Sequence, residues 1–332
     1  MKILKSTSIA IFLILITACN RSSSEQWVVP DDQNQQITVS IHRYGEKLFS
    51  LDTSNLLQEL KGIQPEYQAF LGTDFADHDQ FMQLYQFVTD TQLIYLSKKT
   101  QEVFPDLHSL ETEISKSFSR FHYFFPNITL PSVYTYISGM YYEQPVEVND
   151  ELMVIALDDY LGSDFELYRK LGLPHYRTLR MTPDYVTIDV MKALYNGGIN
   201  PQFTQKTLLD RMVGAGKLMV YLDAVLPQVA DSLKIGYTSA QWKWMEENKE
   251  NVWAFLVKNQ LFYSSDYDTQ TKLIQEAPFT TGFSNESAPR VGIWLGWQIV
   301  KAYHENYPEV SLSELILNSD IQEILQKSGY KP

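Results

Sequence analysis

LLDRMVGAGKLMVYLDAVLP, residues 208–227, is the stretch whose reading decides the fold. Leu208, Leu209, Met212, Val213, Leu218, Met219 and Leu222 recur at spacings of mostly three and four, which predicts a buried helix with Pro227 as its stop. Gly214 and Gly216 sit inside that pattern. A glycine in a helix interior costs roughly 1 kcal/mol against alanine, so two of them need a reason, and close approach of a neighbouring element is one.

C-terminal to this helix the pattern stays helical, with pieces over Thr238 to Phe262 and Val291 to Tyr303. A last helix starts near Ser311 or Ser313, where Ser311-Leu312-Ser313-Glu314 has the capping-box pattern; Ser239 with Trp242 lacks the acidic member of such a box. On the N-terminal side lies a short amphipathic piece, Asp189 to Tyr195, and before it the character changes. SVYTYIS, residues 132–138, is β-branched and aromatic and predicts a strand. LMVIAL, residues 152–157, is a continuous apolar run of strand length, expected as a central strand buried on both faces. Ile37-Thr38-Val39-Ser40-Ile41 alternates like a half-buried strand. Between them Asp52 to Gly72, Asp77 to Lys99 and Leu107 to Phe125 read as helical, the first interrupted by Pro65. The expected fold is therefore α+β, predominantly helical around a small mixed sheet, as one domain over 37–332.

The totals are consistent with that. Of 332 residues 44% are hydrophobic, including 21 Tyr, 17 Phe and 6 Trp, enough to fill a core. A net charge of -13 leaves no basic surface for a phosphate backbone, so nucleic acid is excluded as a partner. The single cysteine, Cys19, rules out a disulfide within the chain. Its position has its own explanation. Lys2 and Lys5 form a positive start, Ile9 to Ile16 is an apolar run too short to span a bilayer, and Ile16-Thr17-Ala18-Cys19 resembles a bacterial lipobox. That resemblance implies cleavage after residue 18, acylation of Cys19 by palmitate-like chains and stable membrane anchoring. Loss of residues 1–18 removes two lysines and no acid, taking the charge from -13 to -15. Residues 19–36 are polar and read as a flexible tether.

Chemistry is harder to find. No two of the six histidines lie four apart, so a zinc helix of the HExxH type is missing, as are a nucleophile elbow, a P-loop and a dinucleotide fingerprint. Asp158 and Asp159 leave the central strand where ligands tend to bind, with Tyr160 next to them. Adjacent side chains at a strand end point to opposite faces, so one is expected to cap the turn and the other to meet solvent. Arg290, Trp294 and Trp297 have an aromatic-basic look; three-residue spacing makes core packing the default for the tryptophans, with Arg290 paired to an acid.

Taken in order, the lipobox, HRYGEKLF from residue 42, ALDDYLG at 156–162, the 208–227 stretch, GYTSAQWKWMEENKENVWAFL at 236–256 and PRVGIWLGWQIV at 289–300 resemble the GldB gliding-motility lipoproteins of Bacteroidetes. The resemblance covers nearly the whole mature chain. It implies an envelope lipoprotein serving gliding and the associated type IX secretion machinery, with other envelope proteins as partners and no cofactor. Asn20, which is not the inner-membrane retention aspartate, and the lack of an acidic export signal after Cys19 favour the outer membrane, facing the periplasm.

A fainter resemblance is to gluzincin-type metalloproteases, which implies a degenerate zincin-like fold. There the zinc helix would fall on Asp189 to Ala193, reading DVMKA, and Ala215, before Gly216, stands where a glutamate ligand would be. Every metal-bearing position is replaced, so no metal is expected. The implied role is a non-catalytic binding or assembly component whose cleft, built on Ala215, Gly216, Asp158, Tyr160, Arg290 and Trp294, can hold an extended segment. The alternatives are an envelope hydrolase, peptidase-like, using Asp158 or Asp159, and a lipoprotein that captures small solutes.

Overall fold

The computed structural model describes residues 27–332 apart from 31, 73–76, 200 and 203–204. After β1 (Ile41–His42) come α1 (Tyr44–Phe49), α2 (Leu56–Ile63), α3 (Gln68–Leu71), α4 (His78–Thr89), α5 (Thr91–Val103) and α6 (His108–Phe124). The strands β2 (Ser132–Tyr136), β3 (Val146–Val148) and β4 (Leu152–Ala156) complete a sheet of order β1-β2-β4-β3. Its first three strands in that order run parallel and β3 is antiparallel to β4, so the sheet is mixed. The remainder is helical: α7 (Glu166–Lys170), α8 (His175–Thr178), α9 (Val186–Leu194), α10 (Leu208–Val225), α11 (Asp231–Ile235), α12 (Ser239–Lys258), α13 (Tyr267–Ile274), α14 (Val291–Asn306), α15 (Leu312–Leu317) and α16 (Ile321–Ser328). This is the predominantly helical α+β fold expected.

The sheet separates two cores. Val133 of β2 and Met153 and Ile155 of β4 face the main core, which α6, α9, α10 and α14 fill from the other side. Tyr134 and Tyr136, on the opposite face of β2, pack on a smaller cluster formed by α1 and α2. β4 is central, as expected, but its two faces are buried unequally: Met153 and Ile155 are buried, while on the other face Ala156 is buried and Leu152 and Val154 are half-buried.

Helix α10 is the hub. Thr207 and Asp210 exchange side-chain to backbone bonds in a capping box at its start. It crosses α14 so closely that a β-carbon on Gly216 would lie 2.3 Å from the Gly296 carbonyl, and one on Gly296 would lie 1.8 Å from the carbonyl oxygen of Met212. Close approach is thus the reason for Gly216. A buried ionic group pins the same helix at its other end: Asp223 accepts from Lys234 at 2.8 Å and from the Trp297 indole at 2.8 Å.

Several boundaries differ from the sequence reading. The 37–41 segment is a strand only at Ile41. The backbone N–H groups of Ile37, Val39 and Ile41 instead donate to Ser119, Ser115 and Glu111 side chains on α6, each at 2.9 Å. Two extended residues advance ~6.6 Å and one helical turn of four residues ~6 Å, so every second N–H meets the next turn. Asp90 splits the 77–99 stretch by capping α5 through the N–H groups of Gln92 and Leu93. The α12 cap is Thr238 with Gln241, one residue before the serine considered. The Ser311–Glu314 box caps α15 as read, but a further helix, α16, follows it. Packing also begins at Trp27, inside the stretch expected as tether. Its ring stacks on His304 with centroids 4.0 Å apart, Arg120 donates to its carbonyl, and it is 6% exposed.

Candidate functional site

A cleft of about 640 Å³ opens between the β3 edge and α9, walled by the turn after β4 and by the α8–α9 connection. Its geometry starts with two consecutive aspartates. A short 3-10 turn, Leu157–Asp159, follows β4 and rotates both carboxylates toward Ser138. Asp158 accepts from the N–H groups of Ser138 and Met140, each at 2.9 Å, and from the Ser138 hydroxyl at 3.1 Å. Those bonds fix the 138–140 turn, in which Met140 holds a left-handed backbone with φ of 71°. Asp159 reaches only the same hydroxyl, at 3.5 Å. Burial, with the neighbouring Asp158 charge second, pushes its carboxyl up to about 8, so it is neutral at neutral pH. Burial also pushes Asp158 upward, against its three donors.

The cleft floor is the face of α9 that carries Asp189, Lys192 and Ala193. Tyr160 donates to Asp189 at 3.1 Å, and the other oxygen of Asp189 accepts from Lys192 at 3.1 Å. Burial holds the Lys192 ammonium below its ordinary value; Asp189 opposes this, and Arg180 and Arg290 push the same way as burial. Glu276, just past α13, receives Arg180 in a hydrogen-bonded ion pair and has Arg290 at 3.9 Å. Arg177 lies over the Tyr142 ring, 5.6 Å from its centroid.

The wall opposite α9 is β3, and its register decides what it offers. Ala156 donates to the Pro145 carbonyl at 2.8 Å and Asn149 to the Leu152 carbonyl at 2.9 Å. Alternation in an antiparallel pair then puts Glu147 opposite Val154 as the bonded pair between them, and turns the N–H and C=O of Val146 and Val148 outward. The 195–199 turn packs on Val148, where a β-carbon on Gly197 would come within 2.6 Å of its side chain. Val146 lines the cleft, and neither of its outward backbone groups has a hydrogen-bond partner among the described residues.

With this geometry in place, the comparisons with known proteins give one match, to the family described as gliding motility protein GldB, over residues 25–332. The chain belongs to the GldB family. No curated protein and no solved structure matches it. Membership makes the chain a gliding-motility-related lipoprotein, and among the described residues no helix is long and apolar enough to cross a membrane.

Placed on this GldB-family fold, the expected site residues fall into three groups. Tyr160 lines the cleft and Asp158 sits directly behind it. Both aspartates are buried on one hydroxyl, which corrects the expectation that one would face solvent: the 3-10 turn cancels the strand alternation on which that reasoning relied. Arg290 lines an adjoining cavity that shares Arg180, Tyr185 and Glu276 with the cleft, and is paired to an acid as expected. Trp294 is core, not cleft wall, and Ala215 and Gly216 do not line the cleft, because α10 sits behind α9 at the centre of the molecule. Cys19 lies outside the described residues. The positions a zinc ion would need hold Asp189, Ala193 and Ala215, and among the described residues no three His, Cys, Asp or Glu are grouped to hold a metal, so the residues present do not fit that ion.

Sequence reasoning missed Arg177, Arg180, Lys192, Glu276 and the β3 edge. The Asp189–Lys192 pair was readable as i, i+3 on a helix. Glu276 was not, being 96 residues from Arg180.

Proposed function

We propose that this chain is a non-catalytic, lipid-anchored component of the gliding apparatus and its type IX secretion machinery, on the periplasmic face of the outer membrane. In this role it holds an extended segment of a partner envelope protein along β3. The carrying observation is the outward N–H and C=O of Val146, presented to a cleft deep enough to take side chains. An added strand gains backbone bonds there without displacing any present one. A holding role also fits the inner carboxylates: Asp158 is committed to three donors, Asp189 to Tyr160 and Lys192, and Glu276 to two arginines. Under the gluzincin resemblance, this is a peptidase groove from which the chemistry has been lost.

The test is Val146→Pro, which removes only an N–H that β4 does not use. With a photo-crosslinking residue at Glu143, on the cleft rim, intact cells are expected to give a crosslink to an envelope protein that the proline variant loses, with an unchanged melting temperature. A variant that keeps both crosslink and gliding sinks the strand-addition reading. A hydrolase is the second reading, favoured by one observation, the neutral Asp159 carboxyl in the cleft. Cleavage of a casein or peptide library that Asp159→Asn abolishes decides for it.

A further inference from the structure

The cleft gathers three cations, Arg177, Arg180 and Lys192, beside four carboxylates, Glu143, Asp159, Asp189 and Glu276. Lys192, Arg180 and Arg290 share two carboxylates, Asp189 and Glu276, and Arg177 has only an aromatic face. Asp159 adds no charge at neutral pH. With Glu143 on the rim, the charged carboxylates match the lining cations three to three, but among the described residues none of them pairs with Arg177, which is left to meet an incoming anion. Three of these cations, Arg177, Arg180 and Lys192, line the same cavity as Val146. Arg180 and Lys192 are each about a quarter exposed and fixed by their carboxylates, and Arg177 rests on the Tyr142 ring, so ordering is already partly done when an anion arrives.

Geometry then says where that anion must be carried. A strand added to β3 places the residue opposite Val146 on the same face as the Val146 side chain, and the residues two away point the same way. Val146 packs toward the main core, the side from which α9 closes the cleft. Resting on the strand-addition reading above, we infer that the docked segment carries an aspartate or glutamate opposite Val146 or two residues from it. Its side-chain carboxylate is received by Lys192, Arg177 and Arg180. An arginine fork takes such a group through two parallel bonds, and the ammonium adds a third donor. Side-chain rather than terminal carboxylate follows from the cleft continuing past Val146 along 142–145, which leaves room for the guest chain to run on.

The experiment uses the full chain in detergent and octapeptides that are acetylated, amidated and tagged with an uncharged dye. The peptides are mixtures of Thr, Val and Ser with Glu or Gln fixed at each position in turn, and anisotropy gives affinity. Expected is at least a tenfold preference for Glu over Gln at one position or at two positions two apart. That ratio should fall to near one in Arg177→Gln and, independently, in Lys192→Gln. Binding with equal affinity for Glu and Gln overturns the carboxylate inference while leaving strand addition standing. No binding by any peptide overturns both. A Gln peptide that gains the tenfold only when its C-terminus is left free overturns the side-chain assignment in favour of a chain end.

Discussion

Asp158 and Asp159 are chemically identical neighbours with different tasks. The first is saturated by donors and shapes a turn; the second is 2% exposed and nearly without partners. Its folded-state value near 8 stands above an unfolded value of about 3.9. The stability that the neutral carboxyl carries is therefore fully present below pH 4 and is lost as pH rises through 8. Asp159→Asn removes this dependence. Urea unfolding is expected to show the variant gaining about 3 kcal/mol over the parent between pH 5 and pH 8, and parallel pH profiles contradict the assignment. Another buried carboxylate, unlike Asp159, is paired with a cation. Asp223 and Lys234 have side chains 1% exposed; burial already pushes the Asp223 carboxyl up against the pull of Lys234, and Lys234→Met leaves that carboxyl in the core with the Trp297 indole as its remaining hydrogen-bond donor. A loss of about 3–5 kcal/mol in the same assay is expected, and Asp223→Asn in that background should recover part of it.

At the scale of elements, the α10–α14 crossing is the most constrained contact. Backbone faces backbone at Gly216 and Gly296, so no side chain can yield to an added methyl. Gly296→Ala is expected to cost about 3 kcal/mol or more, or to give no folded protein, whereas Gly62→Ala on α2, where a β-carbon meets nothing within 4 Å, should be neutral or stabilising. Melting temperatures of the pair make the comparison. This crossing was legible in the sequence, since a glycine inside an apolar helical period is a local signal of close approach. So were the strands at 132–136 and 152–156 and the Ser311 cap, each set by neighbouring residues. What stayed hidden depended on partners far along the chain. The N–H groups of Ile37, Val39 and Ile41 are taken by α6 side chains seventy or more residues later. The cleft was half legible: the 156–162 motif marked its wall, but α9 as its floor and β3 as its open edge follow from sheet order. Two strands joined by a hairpin do not say which of them will be left unpaired.

For the whole molecule, the first-order question is whether the proposed acylation of Cys19 is needed. Cys19→Ala is expected to move the chain from the membrane to the soluble envelope fraction and to stop colony spreading on agar. Normal spreading by a mislocalised chain counts against anchoring as essential. On the proposed processing the body carries -15 and is repelled by anionic lipid, so the acyl chains rather than the surface would hold it there.

The Trp27 stack on His304 then sets a length. Were the body to begin at Ile37, some eighteen residues would separate it from the bilayer; with Trp27 docked, only the eight residues 20–27 do. Fully extended, these reach about 28 Å, while a folded body of this size is about 50 Å across. With the proposed anchor at Cys19, the leash is shorter than the object it would hold, which would let the body roll and swing but keep it in the layer of solvent next to the lipid. Under the proposed holding role, a partner segment anchored in the same layer would meet the cleft at an effective concentration on the order of millimolar, enough for even a weak strand addition to persist. One tryptophan ring thus sets the search volume of the whole molecule.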